Sequence, residues 1–317
     1  MKIRAGRLRR TLLAAGVAAA VVIPVSGAAR PEIPAPAPAS LGRVTAAALP
    51  AAYAANRANA TEAAALADGY GATGRAAVLR AMAAPDRRFL TFDGRGTGRT
   101  AEVFGDLAAA DRVAVLVPGS DTSLDSYGRL RSGALALHAA AGPRTAVVAW
   151  LGYETPGTVS PAVLTTGRAE EAAPALRSFV GALHGINADA RLSLLCHSYG
   201  SVVCAAAASG PRGLDVADIA LYGSPGTGVD TAGDLNTGAR IWAGRGADDW
   251  IADVPHTSLG LFGTAVGFGT DPVSGHFGAR VFAAGDGGHS DYLKPGSVPL
   301  GNLARIARGD GPEVSHA

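Results

Sequence analysis

Lysine is nearly absent from this sequence of 317 residues: Lys2 and Lys294 are the only two among 28 basic residues. The rest are arginines in a chain rich in alanine and glycine, a bias of GC-rich coding rather than of a selected basic surface. Against 26 acidic residues they give a formal net charge of +2, which leaves no electrostatic footprint for nucleic acid. Charged residues are 17% of the chain and hydrophobic ones 48%, which excludes a disordered or acidic-tail protein. Long apolar runs are missing too, save one at the N-terminus. The mean hydropathy of +0.20 owes much to alanine instead. Cysteine occurs twice, as Cys196 and Cys204, and no Cys/His/Asp spacing matches a metal site. No motif implies a cofactor, and no internal repeat is present.

The single apolar run, 12–25, follows a basic start of Lys2, Arg4, Arg7, Arg9 and Arg10 and ends in the small residues Ser26, Gly27, Ala28 and Ala29. That order describes a secretory signal peptide over 1–29. Its core of about 14 residues is shorter than the roughly 20 needed to span a bilayer, so no stable membrane anchor is expected after cleavage. Arg9-Arg10-Thr11-Leu12-Leu13 also resembles a twin-arginine signal, beside the plainer reading of an Arg-rich ordinary one. Removing 1–29 takes away five basic residues and no acidic one, which leaves a charge of −3 over 288 residues. The mature protein is expected to be secreted or in the cell envelope. Residues 30–44 are a Pro/Ala-rich linker, stiff and extended at 31–38.

Residues 45–88 carry two Ala-rich stretches of helical spacing, 45–67 and 73–84. From 89 to 309, short β-type runs alternate with helical ones. Strands are expected at 88–92, 100–104, 113–117, 145–150, 192–196, 219–222, 240–243 and 280–283, with helices near 124–141, 168–185, 199–209 and 298–308. Leading strands followed by strand–helix alternation predict an α/β domain, a mostly parallel sheet with helices on both faces. Residues 310–317 read as a flexible tail. The glycines Gly94, Gly96 and Gly98 invite a dinucleotide-binding reading, but they precede a strand rather than a helix, so a hairpin turn is expected.

Chemistry concentrates in Leu194-Leu195-Cys196-His197-Ser198-Tyr199-Gly200-Ser201. An apolar strand runs into a serine and then into an Ala/Val helix, the setting in which a strained turn presents a hydroxyl above the sheet edge. Cys196 stands where a glycine is usual. The alternative is a serine that merely caps a buried helix. A serine nucleophile needs a base and an orienting carboxylate, in the chain order Ser, Asp or Glu, His. Asp249, in Gly246-Ala247-Asp248-Asp249 after a late strand, is the candidate acid; Asp248 and Asp230 rank behind it, and a solvated Asp pair is the alternative. Of seven histidines, His138 and His184 lie on helices, His197 is too close to the serine, His256 and His276 fall in a Gly-rich insertion, and His316 is terminal. His289 alone follows the last strand and precedes the last helix, where the base belongs. The backbone amides of Tyr199 and Ser120 are the candidate oxyanion hole, with Gly119 allowing close approach.

These features resemble a family of uncharacterised bacterial α/β-hydrolases. The resemblance rests on 98–107 (Gly-Arg-Thr-Ala-Glu-Val-Phe-Gly-Asp-Leu), Val117-Pro118-Gly119, His197 to Ser201, Gly223-Ser224-Pro225-Gly226 and 288–293 (Gly-His-Ser-Asp-Tyr-Leu), and covers roughly 89–300. It implies an α/β-hydrolase fold with serine chemistry at Ser198, Asp249 and His289, and no particular substrate.

Cys196 and Cys204 bracket the serine, either as a disulfide that pins the turn or as two small buried hydrophobes. A catalytic Cys196 is not expected, because its side chain points away from that of Ser198. The insertion at 253–277 reads either as a lid or acyl-pocket wall, or as an excursion packed on the domain. Together these features predict an exported serine hydrolase that cleaves a small-molecule carboxylic ester. An amidase or peptidase with the same triad, or a non-catalytic surface-binding protein on a hydrolase scaffold, stands as the alternative.

Overall fold

The computed structural model describes residues 32–211, 213–254, 259–261 and 264–316. The expected signal peptide and His256 lie outside them. Alanine, the best helix former, builds α1 (Leu49–Gly69) and α2 (Thr73–Met82). Buried Asn56 on α1 donates from Nδ2 to the carbonyls of Phe89 (2.8 Å) and Leu90 (3.0 Å), which seats the helix on the first strand. Asn59 donates to Ala37 O at 2.6 Å, so the Pro/Ala-rich segment is laid along α1 at this point.

The main domain follows in chain order as β1 (Phe89–Asp93), β2 (Arg99–Phe104), β3 (Arg112–Val117), α3 (Tyr127–Ala141), β4 (Thr145–Leu151), α4 (Gly167–Ile186), β5 (Arg191–His197), α5 (Tyr199–Ala208), β6 (Asp218–Tyr222), β7 (Arg240–Gly244), β8 (Leu259–Leu261), β9 (Thr264–Val266), β10 (Arg280–Val281) and α6 (Val298–Arg308). Eight strands form one sheet in the order β1-β2-β4-β3-β5-β6-β7-β10. β2 runs antiparallel to both its neighbours, β1 and β4, and the remaining pairs of the sheet are parallel. β8 and β9 form a separate hairpin. Gly94, Gly96 and Gly98 make the turn between β1 and β2, whose register pairs Asp93 with Arg99. This is the expected α/β-hydrolase fold.

Period-2 alternation divides the parallel strands between two helical layers. Val113, Val115, Leu194, Cys196 and Leu221 share a core with Leu176 and Phe179 of α4 and with Val202 and Val203 of α5. The intervening Leu116, Val147, Leu195 and Trp242 are fully buried on the other face, where α3 and α6 pack on each other and on the sheet. Both faces are thus covered, which is why these strands are continuous apolar runs.

Two expectations are corrected. The run 280–283 makes only a two-residue strand, because beyond it Ala283 N–H donates to Ser315 O (2.9 Å) and Phe282 bridges to His316. For the same reason 310–316 is no flexible tail: Val314 is buried, and Ser315 exchanges hydrogen bonds with buried Asn302 of α6.

Glu102 of β2 is buried and accepts from Arg87, through both its oxygens, and from Tyr127 Oη at 2.8 Å, with Arg131 Nε at 3.5 Å. The acidic residue of the 98–107 motif therefore ties β2 to α3 and to the connection from α2. Removing one partner of a buried pair strands the other's charge and costs about 3–5 kcal/mol. Glu102→Ala should lower the unfolding free energy by that amount in urea titration. Arg144→Ala, whose side chain is 85% exposed, should change it by less than about 0.5 kcal/mol.

Candidate active site

β5 ends at His197, α5 begins at Tyr199, and Ser198 alone makes the turn between them, with φ 52° and ψ −126°. A non-glycine residue there is strained by about 1–3 kcal/mol and persists only where its surroundings fix it. They do so closely. Ser198 N–H donates to Tyr222 O of β6 at 3.0 Å. A Cβ on Gly200 would lie 2.5 Å from Val117 O, and one on Gly119 would lie 2.6 Å from Ser198 Cβ. Only glycine at both positions lets the end of β3 press against the turn. Cys196 and Cys204 are joined as a disulfide, with Cα atoms 6.5 Å apart. Of the two readings of these cysteines, the structure takes the bridge, which links the end of β5 to α5 around the serine.

The structure brings the three dispersed candidates together. His289, on the loop between β10 and α6, has Nε2 2.9 Å from Ser198 Oγ. Its Nδ1 lies 2.8 Å and 3.1 Å from the two carboxylate oxygens of Asp249. An ionised carboxylate only accepts, so Nδ1 carries the proton and Nε2 is free to accept the serine's. Asp249 is buried, Asp248 beside it is exposed, and Asp230 is exposed on its own loop. Burial pushes the Asp249 carboxyl up, but hydrogen bonds from His289, Tyr292 and the Ile251 amide outweigh it and hold the group below its ordinary 3.8. The acid is therefore charged at neutral pH without any arginine or lysine bonded to it.

Tyr292 has no role that its place in the 288–293 motif reveals. Its hydroxyl donates to Asp249 Oδ2 at 2.5 Å and accepts from Gly246 N at 3.0 Å. Burial, reinforced by the carboxylate, raises the hydroxyl well above 10, so it stays a donor. His197 stands too close to the serine in sequence to be its base, yet it too enters the site. Its Nε2 meets His289 O at 2.8 Å, and its ring lies 4.7 Å from the His289 ring. No local signal marks either residue, since both contacts depend on chain segments that meet only in the fold.

Ser198 and His289 open into a cavity of about 620 Å³ that Gly119, Ser120 and Tyr199 also line. The Tyr199 hydroxyl is engaged elsewhere, with Thr165 O at 2.7 Å and Ala169 N at 3.2 Å, so its backbone amide is what it can offer Ser198. The walls include Leu130, Val163, Leu164, Ile251 and, from the insertion, Val254 and Phe268. At least part of 253–277 is thus cavity wall. Phe268 packs edge-on against Tyr199 (5.8 Å), and its carbonyl accepts from Thr227 and Gly228.

Residues 93–259 match a family model described as alpha/beta hydrolase. The chain belongs to the alpha/beta hydrolase family. The chain is 34% identical over 253 residues to an uncharacterised protein of Mycobacterium tuberculosis, covering 69% of this chain and 38% of that one. It is 31% identical over 176 residues to an uncharacterised protein of Mycobacterium bovis, covering 51% and 65%. It thus spans about two fifths of the first relative and about two thirds of the second. Similar solved structures include esterase PE8 (17% identity, TM-score 0.44, 67% of this chain and 98% of that one) and a serine hydrolase of Xanthomonas campestris described as lacking a lid (16%, 0.45, 72% and 96%).

Burial, and then the neighbouring His289, lower the His197 imidazole from 6.5 to about 4. Between these values the unfolded chain takes up a proton here that the folded one refuses. This contribution is complete above pH 6.5 and is lost as pH falls toward 4. Asp249, with its lowered value, begins to lose its own contribution only near and below 3.8. Urea unfolding free energy should therefore fall between pH 7 and about 4.5, and His197→Gln should flatten that fall. Equal slopes in both proteins would contradict the assignment.

Proposed function

We propose that this hydrolase cleaves a carboxylic ester through an acyl-enzyme formed on Ser198. The observation that carries the reading is the continuous chain Ser198 Oγ–His289 Nε2, 2.9 Å, and His289 Nδ1–Asp249, 2.8 Å, at an apolar cavity. As Ser198 Oγ attacks the ester carbonyl, His289 Nε2 takes its proton and becomes imidazolium. The buried Asp249 carboxylate stabilises that charge and fixes the ring's tautomer. The Tyr199 and Ser120 amides serve as donors to the oxyanion; each such donor contributes on the order of 10²–10³ in rate. Collapse of the tetrahedral intermediate releases the alcohol, which takes its proton from His289. Water then attacks the acyl-enzyme with His289 again as base, freeing the carboxylic acid and Ser198.

An acyl chain suits walls formed by Leu130, Val163, Leu164 and Phe268. Work outside the cytoplasm is part of the proposal, supported by the export-type N-terminus of the sequence and by a disulfide at the serine turn, a bond that persists in oxidising compartments.

A fluorophosphonate probe should label the wild type and leave Ser198→Ala unlabelled; equal labelling of both would remove Ser198 as nucleophile. On p-nitrophenyl esters of increasing acyl length, Asp249→Asn should lower kcat by up to about 10⁴-fold through the wrong imidazole tautomer. Asp248→Asn should stay within a few-fold of wild type, and the reverse order would move the acid by one position.

A further inference from the structure

The base His289 sits on a segment without helix or strand between β10 and α6, just after Gly287 and Gly288. Several of that segment's hydrogen bonds are internal, Gly288 N with Asp291 Oδ2 and Asp291 N with Gly288 O among them. Such bonds shape a loop but do not fix it against a serine on a different strand. A bond from the sheet to the base's own peptide does. His197, the last residue of β5 and the covalent neighbour of Ser198, places Nε2 2.8 Å from the carbonyl oxygen of His289, across 92 positions of sequence. Serine and base are thus joined twice: through their side chains, and from the residue before the one to the backbone of the other.

A carbonyl oxygen only accepts, so His197 Nε2 is the donor and carries the ring proton. The ring is held by aromatic neighbours on three counts, His289 at 4.7 Å, Tyr222 of β6 at 5.1 Å and Tyr292 at 5.8 Å. A permanent cation could make the same hydrogen bond. It would, however, sit beside the imidazolium that forms on His289 during turnover and oppose it. Histidine kept neutral supplies a donor without that charge, and a small side chain at this place would supply neither donor nor packing.

We infer that His197 is a positioning residue that holds the backbone of His289 in line with Ser198 while adding no charge to the site. The inference rests on the serine-hydrolase reading above.

The test compares three variants of the full-length protein: His197→Phe keeps a ring without the donor, His197→Ala loses both without adding bulk, and His197→Gln keeps an uncharged N–H donor. Each is counted by end-point fluorophosphonate labelling, so that kcat is expressed per competent serine, and melting temperature is recorded alongside. A misplacement of about 1 Å costs up to about 10²-fold. The Phe and Ala variants should therefore lose roughly ten- to a hundredfold in kcat with KM within about twofold, and should label correspondingly slowly. The Gln variant should recover most of the loss. Wild-type kcat and labelling rate in a folded Phe or Ala variant would overturn the inference alone, and so would a Gln variant as slow as Phe. A role confined to packing would move the melting temperature and leave kcat in place. If the wild type takes no probe and turns over no ester, the serine-hydrolase reading falls and this inference with it.

Discussion

Everything at the site depends on one backbone turn that an L-residue adopts reluctantly. Ser198 has to leave β5, reverse within a single residue and enter α5, and its φ of 52° is the consequence. Left alone, a serine would relax out of this region. It is held by the hydrogen bond to Tyr222 O, by the disulfide between Cys196 and Cys204, and by Ser201 Oγ donating to Cys196 O at 3.0 Å. Gly119 and Gly200 act differently. They add no attraction but remove the atoms that would keep β3 and α5 apart. The turn is thus over-determined on every side, and this keeps the Oγ in reach of a base that arrives from another part of the chain.

The electrostatics follow a similar economy. A buried carboxylate beside a histidine could be held ionised by a cation, but a cation would compete with the imidazolium for the same charge. Here three hydrogen bonds, from His289, Tyr292 and Ile251, stabilise Asp249 instead. The negative charge stays available to the imidazole, as the proposed role of His289 as a base requires. Tyr292 serves the arrangement twice, since the Gly246 amide that its hydroxyl accepts from lies just before Asp249. Acid, tyrosine and loop are fixed together.

Much of this was legible in the sequence, because the signals are local or ordinal. The parallel strands are unbroken apolar runs since both their faces are covered, and each was visible to within a residue or two. The serine turn shows itself as strand, serine, glycine, helix. His289 and Asp249 could be picked out by order along the chain, because the fold constrains which loops reach the serine. What was not legible is what depends on distant pairs. His197 could be judged only by its distance in sequence from Ser198, which says nothing of the loop that meets it 92 residues later. Tyr292, between Asp291 and Leu293, carries no local mark of its role. The last strand was overestimated and the tail misjudged for one shared reason: the end of the chain competes for the backbone groups of 282–283, and nothing in either segment alone announces the other.

The disulfide adds a constraint that the rest of the geometry does not. In other respects the turn is noncovalent, and the glycine contacts, the Tyr222 bond and the base would form in any compartment. A cystine between the residue before His197 and the second turn of α5 is a kind of bond rare where thiols are kept reduced. Both its cysteines are buried rather than set on the surface. The cystine is thus part of the packing that holds the serine turn, not a clip added on its outside.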